Sequence, residues 1–320
     1  MSPFSQLFHS TLTVSRGVYH RHYGMYIVFL LGGIFYLVTS TVCSPIYVRI
    51  IYLFLSRPSC KAESYRIMAQ IGIVQMLVVP AIFTVAVAYL SPVDIWDYTL
   101  YPRQLFSAAM RVETPLNFVL ALNRVKVICN LKYSTVVHNV LLGLIYLYGA
   151  VYLALLNSPW AGIIVNTWMA RTDVSKPLSV LLSRVTLVVS MASMGACLAG
   201  YLLVIGFLLH KRASISKMKD FQVERTILIY ALIHFGGDMF LVVGLYNISL
   251  PEESWAIVFL TSCFLVNYLI LPPALYLTLY QNVRREFFMF RGDDAVPTQL
   301  TLETDLTSSG KDPRLSLSAP

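Results

Sequence analysis

Glu113, Arg111, His234 and Asp238 are the residues in this chain whose chemistry most needs a partner, because each lies inside an otherwise apolar stretch. A charged side chain at the centre of a membrane helix costs about 2.5 to 3.5 kcal/mol on insertion scales, so each should face a neighbour or a water-filled interior. At about 100° per residue, Glu113, Asn117 and Arg124 share one helical face within ~40°, and Arg111 lies roughly opposite Glu113. His234 and Asp238 are one turn apart on one face. Two readings stand for these groups: a polar floor for a small ligand, or an ion-pair and hydrogen-bond network joining two helices. Catalysis finds no support. The sequence has no Gly-x-Ser-x-Gly elbow, no His-Glu-x-x-His and no phosphate-cradling glycine loop followed by Lys-Ser/Thr, and His20-x-His22 lacks a third ligand nearby. No enzyme, metal or cofactor is expected.

The elements that must carry these residues are set by composition. With 57% hydrophobic and 12% charged residues over 320 positions and a mean hydropathy of +0.67, the chain reads as an integral membrane protein. Seven apolar stretches are expected, near Met25–Leu55, Ser64–Leu90, Arg103–Cys129, Thr135–Leu156, Val180–Leu209, Arg225–Ile248 and Trp255–Tyr280. This gives an all-α bundle of seven transmembrane helices over residues 25–280. A polar, basic segment 1–24 precedes it, and no removable signal peptide is read there. The net charge of +8 is spread over loops, which speaks against nucleic acid as a partner. Fourteen Lys and Arg fall on the side holding Lys126, Lys211 and Arg284, and four on the side holding Arg16 and Arg171. The excess marks the cytoplasmic face, with the N-terminus outside and the C-terminus inside.

Segment 281–291 alternates Phe287, Phe288 and Phe290 with Arg284, Arg285 and Arg291, a pattern for a short amphipathic helix lying on cytoplasmic membrane lipid. Residues 292–320 have little to bury and are expected to be a disordered cytoplasmic tail. The cysteines, Cys43, Cys60, Cys129, Cys197 and Cys263, all fall outside the outer loops, so no disulfide is expected there. Asn247-Ile248-Ser249 is a formal glycosylation sequon against a span end.

Asn123-Arg124-Val125 at the inner end of the third stretch and Pro273-x-x-Tyr276 in the last, with Pro272 before it, sit within seven spans that begin outside. Together they resemble a G-protein-coupled receptor over nearly the whole chain. Ser64-Tyr65-Arg66-Ile67-Met68, Gly72-Ile73-Val74-Gln75-Met76 and Leu120-Ala121-Leu122-Asn123-Arg124 are similar to nematode serpentine chemoreceptors of class T. The resemblance implies a small extracellular ligand, a heterotrimeric G protein inside, and arrestin and a receptor kinase at the Ser/Thr-rich tail. It also implies a plasma-membrane location, in the cilia of sensory neurons. It assigns coupling and an inner gate to Asn123, Arg124 and Glu224, a switch to Pro272, Pro273 and Tyr276, and ligand contact to Glu113, Arg111, His234 and Asp238. Three departures accompany it. Gln75 stands where such receptors usually carry an acid, so sodium binding is not expected; the fourth span lacks tryptophan; and the sixth has neither tryptophan nor proline. A retinal pigment is excluded because Trp255–Tyr280 contains no lysine for a Schiff base. A multi-pass transporter or ligand-gated channel subunit is the alternative, though no internal repeat supports transport and the charge bias runs against a channel with its N-terminus inside.

Overall fold

A computed structural model describes residues 3–57, 63–91, 96–165, 170–211, 229, 232–242 and 255–288. It is a helical bundle. In chain order the helices are α1 (Pro3–Ser56), α2 (Glu63–Met76), α3 (Val79–Leu90), α4 (Trp96–Ile128), α5 (Val136–Leu156), α6 (Pro177–Lys211), α7 (Leu232–Val242), α8 (Trp255–Leu265), α9 (Leu271–Leu279) and α10 (Gln281–Phe288). A π-turn, Val266–Ile270, joins α8 to α9. Among the described residues, 6 helical stretches are long and apolar enough to cross a membrane: Ile27–Ser56, Glu63–Leu90, Thr99–Ile128, Val136–Leu156, Pro177–Phe207 and Trp255–Leu279. The sixth stretch expected from sequence is represented by the shorter α7; the rest of it, with Glu224 and the sequon, lies outside the described residues. So do Phe290, Arg291 and the tail 292–320.

Local differences from the expected stretches follow from proline chemistry. The second stretch is broken at Leu77 and Val78, because Pro80 has no N–H to return to the Met76 carbonyl; α3 restarts with that proline in its first turn, where no donor is required. Helix α1 runs unbroken from Pro3 through Pro45, so residues 3–24 are helical along their backbone. Helix α4 starts seven residues before the expected Arg103, passing Pro102 near its N-terminus. It is the central element, packing on α2, α3, α5 and α6. Gly149 of α5 makes one of these approaches possible: a Cβ there would stand 2.2 Å from Val112 Cγ2 of α4.

A short antiparallel hairpin, β1 (Ile163–Val165) and β2 (Ala170–Thr172), lies between α5 and α6, with Ile163 opposite Thr172 and Val165 opposite Ala170. Its first strand, Ile163-Ile164-Val165, is a β-branched run directly after glycine. The hairpin is tied to the bundle by Gly162 N–H donating to Ser179 Oγ at 3.0 Å and by Lys176 Nζ donating to the Ala161 carbonyl at 3.2 Å.

Candidate functional site

The tandem prolines fix the geometry of the last span. Pro272 and Pro273 cannot donate to the carbonyls of Tyr268 and Leu269, so the regular α-helical bonding is interrupted at this point. The chain widens by one residue instead, with Leu271 N–H bonding the Val266 carbonyl, five residues back. Asn267 and Tyr268, in that widened turn, are both buried in the bundle.

Around them lies a polar network drawn from five elements at mid-depth. Glu113 is halfway along Thr99–Ile128, and Gln75 is near the middle of Glu63–Leu90. The Tyr47 hydroxyl of α1 donates to Gln75 Oε1. Gln75 Nε2 donates in turn to Glu113 Oε1, and His234 Nε2 approaches the same oxygen at 3.2 Å. Asp238 accepts from Asn267 Nδ2 at 2.8 Å on one oxygen and from Asn117 Nδ2 at 3.2 Å on the other, with His234 Nε2 at 3.8 Å. Glu113, His234 and Asp238 are 1%, 3% and 6% exposed, so none of them faces lipid. His234 thus stands between the two acids, with its Nε2 3.2 Å from Glu113 Oε1 and 3.8 Å from Asp238 Oδ2. Glu113 Oε2 and Asn267 Oδ1 have no hydrogen-bond partner among the described residues.

The structure therefore brings together three of the four residues singled out for ligand contact. Arg111 is half-buried two positions before Glu113, on the other side of α4 by helical geometry. Gln75, Asn117, Asn267, Tyr47 and Tyr268 complete the network; Asn117 is on the expected polar face with Glu113, while Tyr47, Asn267 and Tyr268 carry no charge to mark them in the sequence. The available signal was neutral amides in apolar helices, each of which also needs a partner there.

A second polar cluster sits at the opposite end from the hairpin. Asn123 Nδ2 donates to Ser64 Oγ at 2.8 Å, and Arg124 is 0% exposed, its Nη2 lying 4.0 Å from Met68 Sδ. Arg124 is therefore enclosed within the bundle, where α2 and α6 both pack on α4. Lys126 takes the boundary position, 3.4 Å from Glu63. Glu63 also meets His138 Nδ1 at 2.9 Å, and His138 Nε2 is 3.0 Å from the Tyr133 hydroxyl. Burial, and then the Glu63 charge, raise the Tyr133 phenol, which keeps it a donor toward that ring nitrogen. One neutral tautomer, with the proton on Nδ1, satisfies both contacts. Glu224, the expected acid partner of Arg124, lies outside the described residues.

The last span ends against α1. Tyr276 is fully buried, its ring 5.0 Å from Phe54 and 6.3 Å from Tyr47. Arg49 donates to the Phe287 carbonyl of α10 and stands 4.7 Å from that ring. Phe287 packs inward while Phe288 is exposed, and Arg57 pairs with Glu286 at 3.2 Å.

No protein-family model matches the chain, and no curated protein matches it. Among solved structures, the crystal structure of squid rhodopsin is similar, with a TM-score of 0.63 over 82% of this chain and 80% of that one, at 12% identity. At that identity the similarity is one of fold, and the chain has a rhodopsin-like helical bundle.

Proposed function

We propose that this chain is a G-protein-coupled chemosensory receptor of the plasma membrane, taking a small molecule on its outer side and engaging a heterotrimeric G protein at its basic end. The observation that carries the reading is the rhodopsin-like arrangement over four-fifths of the chain. Two local features agree with it. The Asn123-Arg124 pair sits inside the basic end of the bundle, and Tyr276 of the Pro-x-x-Tyr element is buried against α1. The resemblance to serpentine chemoreceptors supports the sensory assignment, and the ciliary location rests on it alone.

In this reading the network is a coupling layer beneath the ligand. Glu113, His234 and Asp238 form its floor, Arg111 flanks it, and Pro272, Pro273 and Tyr276 carry movement of the last span toward Asn123 and Arg124. Arg124 is covered in the present arrangement, so a G protein reaches it only after the helices around it separate; Glu224 is its proposed partner in the closed state. A ligand shifts that equilibrium only by binding the two arrangements unequally. The last span has no lysine, so the ligand is not held as a Schiff base.

The test is a panel of small molecules applied to transfected cells, read as calcium or cyclic nucleotide, with Asp238→Asn as control and an N-terminal epitope stained on intact cells. A ligand response that Asp238→Asn abolishes at equal surface density is expected. Accumulation of labelled substrate, or a ligand-gated current without G protein, would instead make the chain a transporter or a channel.

A further inference from the structure

Gly237 and Asn267 meet more closely than two side chains can. A Cβ at Gly237 would lie 2.2 Å from Asn267 Oδ1 and 3.0 Å from its Cγ, so residue 237 can carry no side chain while the amide stays in place. Among the described residues, the neighbouring Gly236 has nothing within 4 Å of the same added atom. The two glycines are adjacent in sequence and opposite in requirement. The amide that Gly237 admits is the one that donates to Asp238 Oδ1 at 2.8 Å. Asn267 itself is buried in the π-turn that the tandem prolines impose.

From this we infer that Gly237 and Asn267 form a latch between α7 and the last span, in which Gly237 is the opening, Asn267 the bolt, and Asp238 the residue positioned by it. Helix α7 has one register against the π-turn that seats the amide. A shift that brings Asp238 to the opening puts a side chain where the amide sits, and a shift that brings Gly236 there leaves the opening free but turns Asp238 about 100° away from the amide that bonds it. The latch is therefore discrete, closed or open, and its state sets how firmly α7 lies against α6. That contact includes Tyr201 of α6, whose ring packs edge-on against Phe235 of α7 at 6.1 Å. Cys197 lies one turn before Tyr201 and is 1% exposed, so it reports on loosening without any ligand or G protein.

The experiment uses the full chain in lipid nanodiscs with Cys43, Cys60, Cys129 and Cys263 changed to serine, and follows the rate at which a maleimide labels Cys197. Asn267→Ala and Gly237→Ala should each raise the rate several-fold, one by removing the bolt and the other by expelling it. The double variant should match either single one, because both act through one contact. Gly236→Ala should label like the parent. Effects that multiply in the double variant, or an Asn267→Ala rate equal to the parent, overturn the latch. Should Gly237→Ala not give a monodisperse protein, Asn267→Leu, similar in volume and without a donor, carries the test: an unchanged rate is the overturning result. Labelling does not require signalling, so the latch and the receptor reading fail separately.

Discussion

At the scale of single residues, geometry separates contacts that sequence treats alike. Arg49 and Arg57 are both arginines near the basic end of α1, yet they hold α10 differently. Arg57 pairs with Glu286 while its side chain is 46% exposed, and exposed pairs contribute only about 0 to 1 kcal/mol. Arg49 combines a carbonyl hydrogen bond with a ring contact, and cation–π contacts reach ~2 kcal/mol when removed from water. Arg49→Lys, which keeps the charge and loses the planar fork, should therefore free α10 more than Arg57→Gln does. Trypsin cleavage after Arg284 and Arg285 in nanodiscs measures this, and a larger effect from Arg57→Gln would reverse the ranking. The same distinction marks what the sequence could reveal. Glu113, His234 and Asp238 were legible because charges in apolar helices demand an explanation. Their partners Gln75 and Asn267 were not, since an amide in a span says that a bond exists and leaves its other end open. Glu63 and His138 were hidden for another reason: they lie at helix starts, where polar side chains need no buried partner.

At the scale of elements, the prolines decide where helices bend and which residues face inward. Six of the seven stretches expected from hydropathy correspond to helices of spanning length among the described residues, most of their boundaries within a few residues. The break at Leu77 and the π-turn at Val266–Ile270 were less visible, because a proline announces a missing donor without saying whether the helix stops, kinks or widens. This ambiguity yields a prediction whose sign is informative. Helix propensity alone says that changing Pro272 and Pro273 to alanine stabilises the span, since proline is disfavoured by ~3 kcal/mol within a helix. Restored donors would, however, let the α-helix run through, rotate Asn267 away from Asp238 and leave buried polar groups unpaired, at about 1 to 3 kcal/mol for each. The double alanine variant should therefore melt at a lower temperature than the parent when followed by size-exclusion fluorescence in detergent. A higher melting temperature would mean that the π-turn positions nothing of consequence.

At the scale of the whole molecule, the solvent decides what exposure means. Leu144, Leu147 and Val151 of α5 are 57%, 61% and 49% exposed, and Leu31, Val38 and Val42 of α1 are 60%, 54% and 55% exposed. In water such faces would drive aggregation; against acyl chains they are the natural boundary of the bundle. The interior shows the reverse arrangement, with Arg124, Gln75 and Glu113 enclosed by helices. Polar groups inside and apolar groups outside are what a bilayer selects. Two substitutions test whether this is the environment the chain is built for. Leu147 lies at the centre of Val136–Leu156, whereas Val174, between β2 and α6, is more exposed at 75% and lies outside every span. If exposed residues all met water, arginine would be harmless at both. In a bilayer, Leu147→Arg costs about 2.5 to 3.5 kcal/mol at the helix centre, enough to lower membrane insertion many-fold, while Val174→Arg leaves it unchanged. Insertion is read by a glycosylation tag placed beyond α5. Equal insertion of the two variants would mean that α5 does not cross the membrane, and with it the assignment of its outer face to lipid would fall.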